Sequence, residues 1–242
     1  MRTKMINKTK RQMVPPTVMI PRKTYFWSAT PSTGKHNRKS SVALLTVLRD
    51  YAKLGDKERE ITRILAAGEV KVDGRVTKER RTAVGFMDVI SIPSIKKIYR
   101  VIYDNKGRLT IRQESEKNSE IKPMKVMKKV ITTGGKIQLS FHDGQNILTD
   151  DKGIHPGDVL IMKMPEKEIK EIIKMQPGNK VFLTGGSHVG KIATVKKIEI
   201  KESSHANLVH FQEDFSTVTD YAFPISGPRY TFEIPEKGVE DQ

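Results

Sequence analysis

The run Ile64-Leu65-Ala66-Ala67-Gly68-Glu69-Val70-Lys71-Val72-Asp73-Gly74-Arg75-Val76 leaves this chain little conformational choice. A helix that reaches Gly68 can close there, because glycine enters the left-handed region without strain. Asp73-Gly74 is the dipeptide of a two-residue type I′ turn, and the valines alternating around it predict a tight hairpin over residues 70–77. Lys71 and Arg75 take outward positions of that hairpin, and Arg59 and Arg63 precede it one helical turn apart. The expected product is a compact helix-plus-hairpin unit with cations on one surface. In a chain of formal net charge +16 and pI near 9.8, that surface is a candidate seat for nucleic acid.

The charge is unevenly distributed. Residues 1–49 hold 11 Lys/Arg and no Asp or Glu, whereas residues 202–242 hold 2 bases against 8 acids. An arm without acids has no ionic partners of its own, so its cations are expected to meet phosphates. Tyr25-Phe26-Trp27 within it is unlike a merely solvating tail. The reading is an extended arm, residues 1–40, that becomes ordered on RNA. A hydrophobic content of 36% across 242 residues suits two or three small domains better than one deep-cored enzyme. With no cysteine, disulfides and thiolate metal sites are excluded. No apolar leader or membrane-length run is present, and a soluble cytoplasmic protein with no membrane partner is expected.

Further along, Ser40 or Ser41 is placed to cap a helix starting near Val42, with Leu44, Leu45, Leu48, Tyr51 and Leu54 as its buried stripe. Asp56 is placed to cap a second helix through about Ala67, and Val84 through Pro93 reads as a closing strand. Period-two runs then predict strands at Ile98–Tyr103, Leu109–Arg112, Lys136–Phe141 and Asn146–Thr149, with residues 113–123 as a loop. Glu166 to Met175 reads as a short helix, Pro177-Gly178 opens a last β-rich segment, and the tail from about Glu236 reads as frayed.

Residues 185–191 match the first seven places of a phosphate-binding loop, but Ile192 stands where magnesium needs Ser or Thr. Ala193 to Ile198 alternate like a strand, and a nucleotide loop needs a helix there. The six scattered histidines lack the four-ligand spacing of structural zinc. Asp143, Asp150, Asp151 and Asp158 read as turn formers, and Met124, Met127, Met162, Met164 and Met175 as gap fillers in small cores. No catalytic site, metal site, cofactor or small-molecule substrate is expected. The basic face is the exception. Its candidates are Arg2, Lys4, Lys8, Lys10, Arg11, Arg22, Lys23, Lys35, Arg38 and Lys39 of the arm, with Trp27. Arg49, Lys53, Lys57, Arg59 and Arg63 follow in the helices, Lys71 and Arg75 on the hairpin, and Lys78, Arg80 and Arg81 beyond it.

Residues 42–93 resemble the α-L RNA-binding motif through their two short helices, Gly68 to Gly74 and Met87-Asp88-Val89-Ile90. Thr62 departs from it, standing where many such motifs carry arginine. Asn179 to Glu199 resembles a KOW motif, although Ala193 replaces a frequent glycine. With these in order stand Ile20-Pro21-Arg22-Lys23, Trp27, Val47 to Asp50, Val84 to Pro93, Gly134 to Leu139 and His142-Asp143-Gly144. From about Pro16 to Pro224 the chain resembles the small-subunit ribosomal protein family S4e of archaea and eukaryotes. Its length is nearer the archaeal type.

The resemblance implies an α+β, multi-domain chain: arm 1–40, α-L domain 41–95, central β-rich domain 96–174, an SH3-like KOW β-barrel at 175–235, and a tail. It adds Gly185, Gly186, His188, Gly190 and Lys191 to the RNA-binding candidates. The implied partners are small-subunit rRNA and neighbouring ribosomal proteins, with the chain a monomer within the cytoplasmic ribosome. The rivals are an RNA-modifying enzyme gripping through the α-L module and a translation or transcription regulator using the KOW segment. The first lacks room for a catalytic domain, and the second has no use for the acid-free arm.

Overall fold

The computed structural model describes residues 8–132, 134–201, 206–227 and 231–234. Arg2, Lys4, His205 and the tail 236–242 lie outside them. The described residues are mostly β, nineteen strands with a few helical turns. They divide into two compact units, 8–102 with 108–120, and 103–107 with 121–234.

In the first unit, β1 (Lys8–Lys10) pairs antiparallel with β2 (Trp27–Ala29). β3 (Ser41–Ala43) leads into α1 (Leu44–Thr46), which continues as a π-helical turn over Val47–Tyr51. Then come α2 (Glu58–Ala66), β4 (Lys71–Val72), β5 (Arg75–Val76), β6 (Ala83–Gly85), β7 (Val89–Ile92), β8 (Lys97–Tyr103) and β9 (Leu109–Gln113). β3 pairs β6, and a five-stranded sheet runs β5-β4-β7-β8-β9. Leu44, Leu48, Ile61, Leu65, Val84, Met87 and Ile90 are fully buried and form its core.

The hairpin matches its sequence: Gly68 has φ +77°, and Asp73 and Gly74 have +49° and +75°, the double left-handed pair of a type I′ turn. The first helix does not begin at Val42. The hydroxyl of Ser41 donates to Asn37 O instead of capping, and residues 41–43 pair as a strand. The free N–H groups of Leu44 and Leu45 are taken by the carbonyls of Thr82 and Arg80, so a neighbouring loop caps the helix. Asp56 is not the cap of α2 either. Glu60 Oε2 reaches back to the N–H groups of Asp56 and Lys57 at 2.9 and 3.2 Å, and these bonds, Lys57's foremost, hold its carboxyl below its ordinary pKa.

The expectation of an arm without internal partners is corrected over residues 8–40. Val14 and Val18 are buried, and Val18 bridges Leu109 in parallel. The Met19 N–H donates to the Tyr51 hydroxyl, and the Ser32 N–H to Arg81 O. Acids are absent locally, but carbonyls and distant aspartates supply the acceptors. β8 and β9, grouped by sequence with the central domain, extend the sheet of the first unit.

The second unit holds two five-stranded sheets. One is built from β10 (Ile121–Ile131), β11 (Ile137–Phe141), β12 (Asn146–Thr149), β13 (Val159–Lys163) and β14 (Glu168–Ile173), in the order β12-β11-β10-β13-β14. The other uses β15 (Lys180–Leu183), β16 (Ile192–Glu199), β17 (Leu208–Phe211), β18 (Ser216–Val218) and β19 (Ala222–Pro224), in the order β18-β17-β16-β15-β19. Their cores centre on Met124, Leu139, Leu160 and Met162, and on Val181, Val195, Val209 and Phe211. Met127 is exposed, not a gap filler.

Two expectations fail here for one kind of reason. The helix expected at 166–175 is strand β14. Its register slips between Ile161 and Met162, so Leu160 faces Ile172 and Met162 faces Ile169. That bulge spaces two same-face isoleucines three apart and mimics a helical period. The loop expected over 113–123 already contains the start of β10. Lys122 and Lys125 make that start look polar, yet both are buried.

Candidate nucleic-acid interface

On α2, Ile61 and Leu65 point into the core, so the helical period turns Lys57, Arg59, Thr62 and Arg63 outward. With Glu58 and Arg80 these four line an open groove of about 610 Å³. Arg80 pairs with Glu58, and that pair is also a wall of a second cleft, of about 270 Å³, lined by Lys8, Trp27, Arg49, Glu79 and Arg81 among others. Arg49 forks onto Asp50 at 3.0 and 2.8 Å, and that hydrogen bonding raises its pKa further. Lys53 closes the turn after the π-helical segment with φ +51° and is exposed. Arg75 and Lys78 are exposed on and after the hairpin, and Lys71 is half-buried.

The glycine loop, residues 184–191, joins β15 to β16, and a strand follows it as expected. Most of its candidate residues face inward. A Cβ on Gly185 would sit 2.6 Å from the Tyr221 ring, and one on Gly190 would sit 2.8 Å from the backbone N of Asn105. Both approaches are closer than any side chain allows. His188 stacks on Phe215 with ring centroids 4.2 Å apart. Gly186 and Lys191 are the candidates of this loop that remain exposed. No cluster of three or more His, Cys, Asp or Glu placed to hold a metal occurs among the described residues.

The profile of ribosomal family S4e matches residues 95–169. Small ribosomal subunit protein eS4 of Thermoplasma volcanium is 60% identical over 97% of this chain and 99% of its own length. The chain belongs to the ribosomal family S4e. The eS4 protein of Archaeoglobus fulgidus is 40% identical, covering 89% of this chain and 92% of its own. The crystal structure of the 30S ribosomal protein S4e from Thermoplasma acidophilum superimposes with a TM-score of 0.73 at 52% identity, covering 80% of this chain and 99% of that one.

In this S4e chain several residues expected to meet RNA are engaged within the fold. Arg11 is 3% exposed and its Nε donates to Pro21 O. Arg22 donates to the carbonyls of Gln12, Val14 and Pro15. Lys35 pairs with the buried Asp73 at 2.7 Å, and Arg38 donates to the Thr9 hydroxyl. Lys8, Lys10, Lys23, Trp27 and Lys39 are exposed. Sequence reasoning passed over Lys125. Its ammonium donates to the carbonyls of Thr219, Asp220 and Ala222 at 2.7–2.9 Å, and burial lowers its pKa to about 8 against the pull of Asp220. A lysine three residues past Lys122, in a run where apolar Pro123, Met124 and Val126 alternate with it, was the available signal.

Proposed function

We propose that this chain is a structural constituent of the small ribosomal subunit, binding folded rRNA through phosphate and shape contacts. The observation that carries the reading is the outward cationic row Lys57, Arg59 and Arg63 on α2, in a unit whose opposite face is its core. Double-stranded RNA hides its base edges in a deep, narrow groove, so a rigid helix bearing cations reads backbone and shape. Residues 41–95 serve as the α-L module, and residues 175–235 as the KOW barrel. The two sheets of the second unit supply a central scaffold from Ile121 to residue 174 and that barrel, the part of the central domain before Ile121 belonging largely to the first unit. RNA contacts come from the exposed members of the expected set, Lys8, Lys10, Lys23, Trp27, Arg38, Lys39, Lys53, Arg75, Lys78, Gly186 and Lys191 beside the α2 row. Arg49, Arg80 and Arg81 border the same grooves, and Lys71 stands half-buried on the hairpin. Arg11, Arg22 and Lys35 hold the fold, and Gly185, His188 and Gly190 shape the loop. The work is structural, with no catalysis, cofactor or membrane. Its partners are small-subunit rRNA and adjoining ribosomal proteins.

Tagged chain expressed in an archaeal host should co-sediment stoichiometrically with small subunits through a sucrose gradient and survive a moderate salt wash. A chain left at the top of the gradient would end this reading.

A further inference from the structure

Tyr25, Phe26 and Trp27 are 71%, 64% and 50% exposed, three large aromatic rings in a row on the surface of a small unit. They are held, not loose. The Arg11 N–H donates to Phe26 O, and Trp27 is paired across from Lys10 in the β1–β2 ladder. Phe26 stands edge-on to Trp27, centroids 4.8 Å apart. Lys10 Nζ sits over the Phe26 ring at 5.6 Å and the Arg11 guanidinium over Tyr25 at 5.2 Å. Ser28 turns into the unit, which leaves Trp27 facing out beside the cleft it shares with Lys8, Arg49 and Arg81.

A contiguous exposed aromatic patch marks an interaction surface. Lys8, Arg49, Arg80 and Arg81 line the cleft beside Glu58 and Glu79, an excess of cations that favours a polyanion, and its volume of about 270 Å³ is near the small end of ligand pockets. That size is closer to a single nucleotide than to a duplex. Within an RNA helix the base faces already stack on one another, so an aromatic ring can stack only on a base that has left the helix. We propose that Trp27, flanked by Phe26, is a stacking platform for an unpaired nucleotide of the bound RNA, with Lys8 and Arg81 beside its phosphates. This rests on the RNA-binding reading above and adds to it a preference for a bulge, loop or single strand at this place.

Trp27 is the only tryptophan in the chain, so its emission reports on this site directly. The unmodified protein is titrated with a short single-stranded oligoribonucleotide, with a fully paired RNA duplex, and with the same duplex carrying one bulged nucleotide. Binding is followed in parallel by anisotropy of labelled RNA. The single strand and the bulged duplex should quench the emission saturably, and the paired duplex should bind without quenching. Trp27→Ala should weaken the bulged duplex by about 5- to 150-fold, leave the paired duplex unchanged, and keep the same salt slope, because stacking releases no counterions. Trp27→Phe should keep most of the affinity, and matching circular dichroism of the two variants separates stacking from folding.

Equal binding of both duplexes with unchanged emission, and no weakening in Trp27→Ala, would overturn the platform while the RNA-binding reading stands. Failure of every RNA to bind would remove both. Emission that ignores RNA but shifts on mixing with RNA-free small-subunit proteins would overturn the proposal and give the patch to a protein neighbour.

Discussion

In residues 8–40 several cations turn inward. Arg11 is buried against Pro21 O, Arg22 forks onto three carbonyls, and Lys35 meets Asp73. On α2 the same side-chain chemistry turns outward, with Lys57, Arg59 and Arg63 in solvent and Ile61 and Leu65 beneath them. Composition ranks the first region as the stronger phosphate binder, because it has no acids. The fold withdraws Arg11, Arg22 and Lys35 from that ranking, since backbone carbonyls satisfy an arginine's N–H groups and Asp73 takes the lysine. Counting charges measures how much cation a segment holds, and only the positions of the acceptors say how much of it is left for a ligand.

The strongest way to break this comparison is to delete residues 1–38. That removes β1 and β2, Val14 and Val18 from the core, and the partners Lys35 and His36 from the buried Asp73 and Asp88. The first unit should be destabilised by on the order of 5 kcal/mol, a large share of a domain's stability. Chemical unfolding followed by circular dichroism would check this, with the transition of the second unit retained. An arm that only orders on RNA would leave both transitions where they were.

The same distinction applies to lysines of the second unit. Lys122 is fully buried against Asp143 at 3.0 Å, whereas Lys191 is exposed. Lys122→Met should cost about 3–5 kcal/mol by stranding a buried carboxylate, and Lys191→Met should stay within about 0.5 kcal/mol. Burial pushes the Asp143 carboxyl up, but Lys122, His142 and the Gln145 N–H outweigh it and leave its pKa lowered. A carboxyl lowered in the folded state stabilises above its unfolded pKa near ~3.9, and that contribution disappears as pH falls through the folded value. Acid titration of the wild-type chain should therefore weaken the second unit below about pH 4.

A sharper contrast sets Arg11→Gln against Arg59→Gln with Arg63→Gln. The first should cost about 1–3 kcal/mol of stability and leave the salt dependence of RNA binding unchanged. The double change should move stability by less than about 0.5 kcal/mol. It should also reduce the salt slope by about 0.7–0.9 for each phosphate that is no longer neutralised. Equilibrium unfolding and filter binding across a salt series on the same preparations would read both. If the double variant unfolds, those arginines serve the fold and the comparison collapses.

The elements legible in the sequence are those whose signal is local. Gly68 and Asp73-Gly74 specify backbone angles that few residues tolerate, and the hairpin stands where they put it. Ile192 and the alternation after it ruled out a nucleotide loop, and β16 begins there. Arg59 and Arg63 were legible as one helical turn apart, and both stand outward on α2. The misread elements have partners far along the chain. Ser41 looked like a cap because the Thr82 and Arg80 carbonyls that cap Leu44 and Leu45 lie some forty residues away. β14 looked helical because a bulge opposite β13 set its isoleucines three apart.

The candidate site divides the same way. Sequence by itself determined the family, the hairpin, the outward row on α2 and the excess of cations, since each depends on residue identity and spacing within a few turns of chain. Tertiary structure decided which cations remain exposed. It folded residues 8–40 onto the first unit, lent Asp73 to Lys35, and turned Gly185 and Gly190 toward Tyr221 and Asn105. A buried polar group must find a partner wherever the fold can bring one, and that partner's place in the sequence is unconstrained.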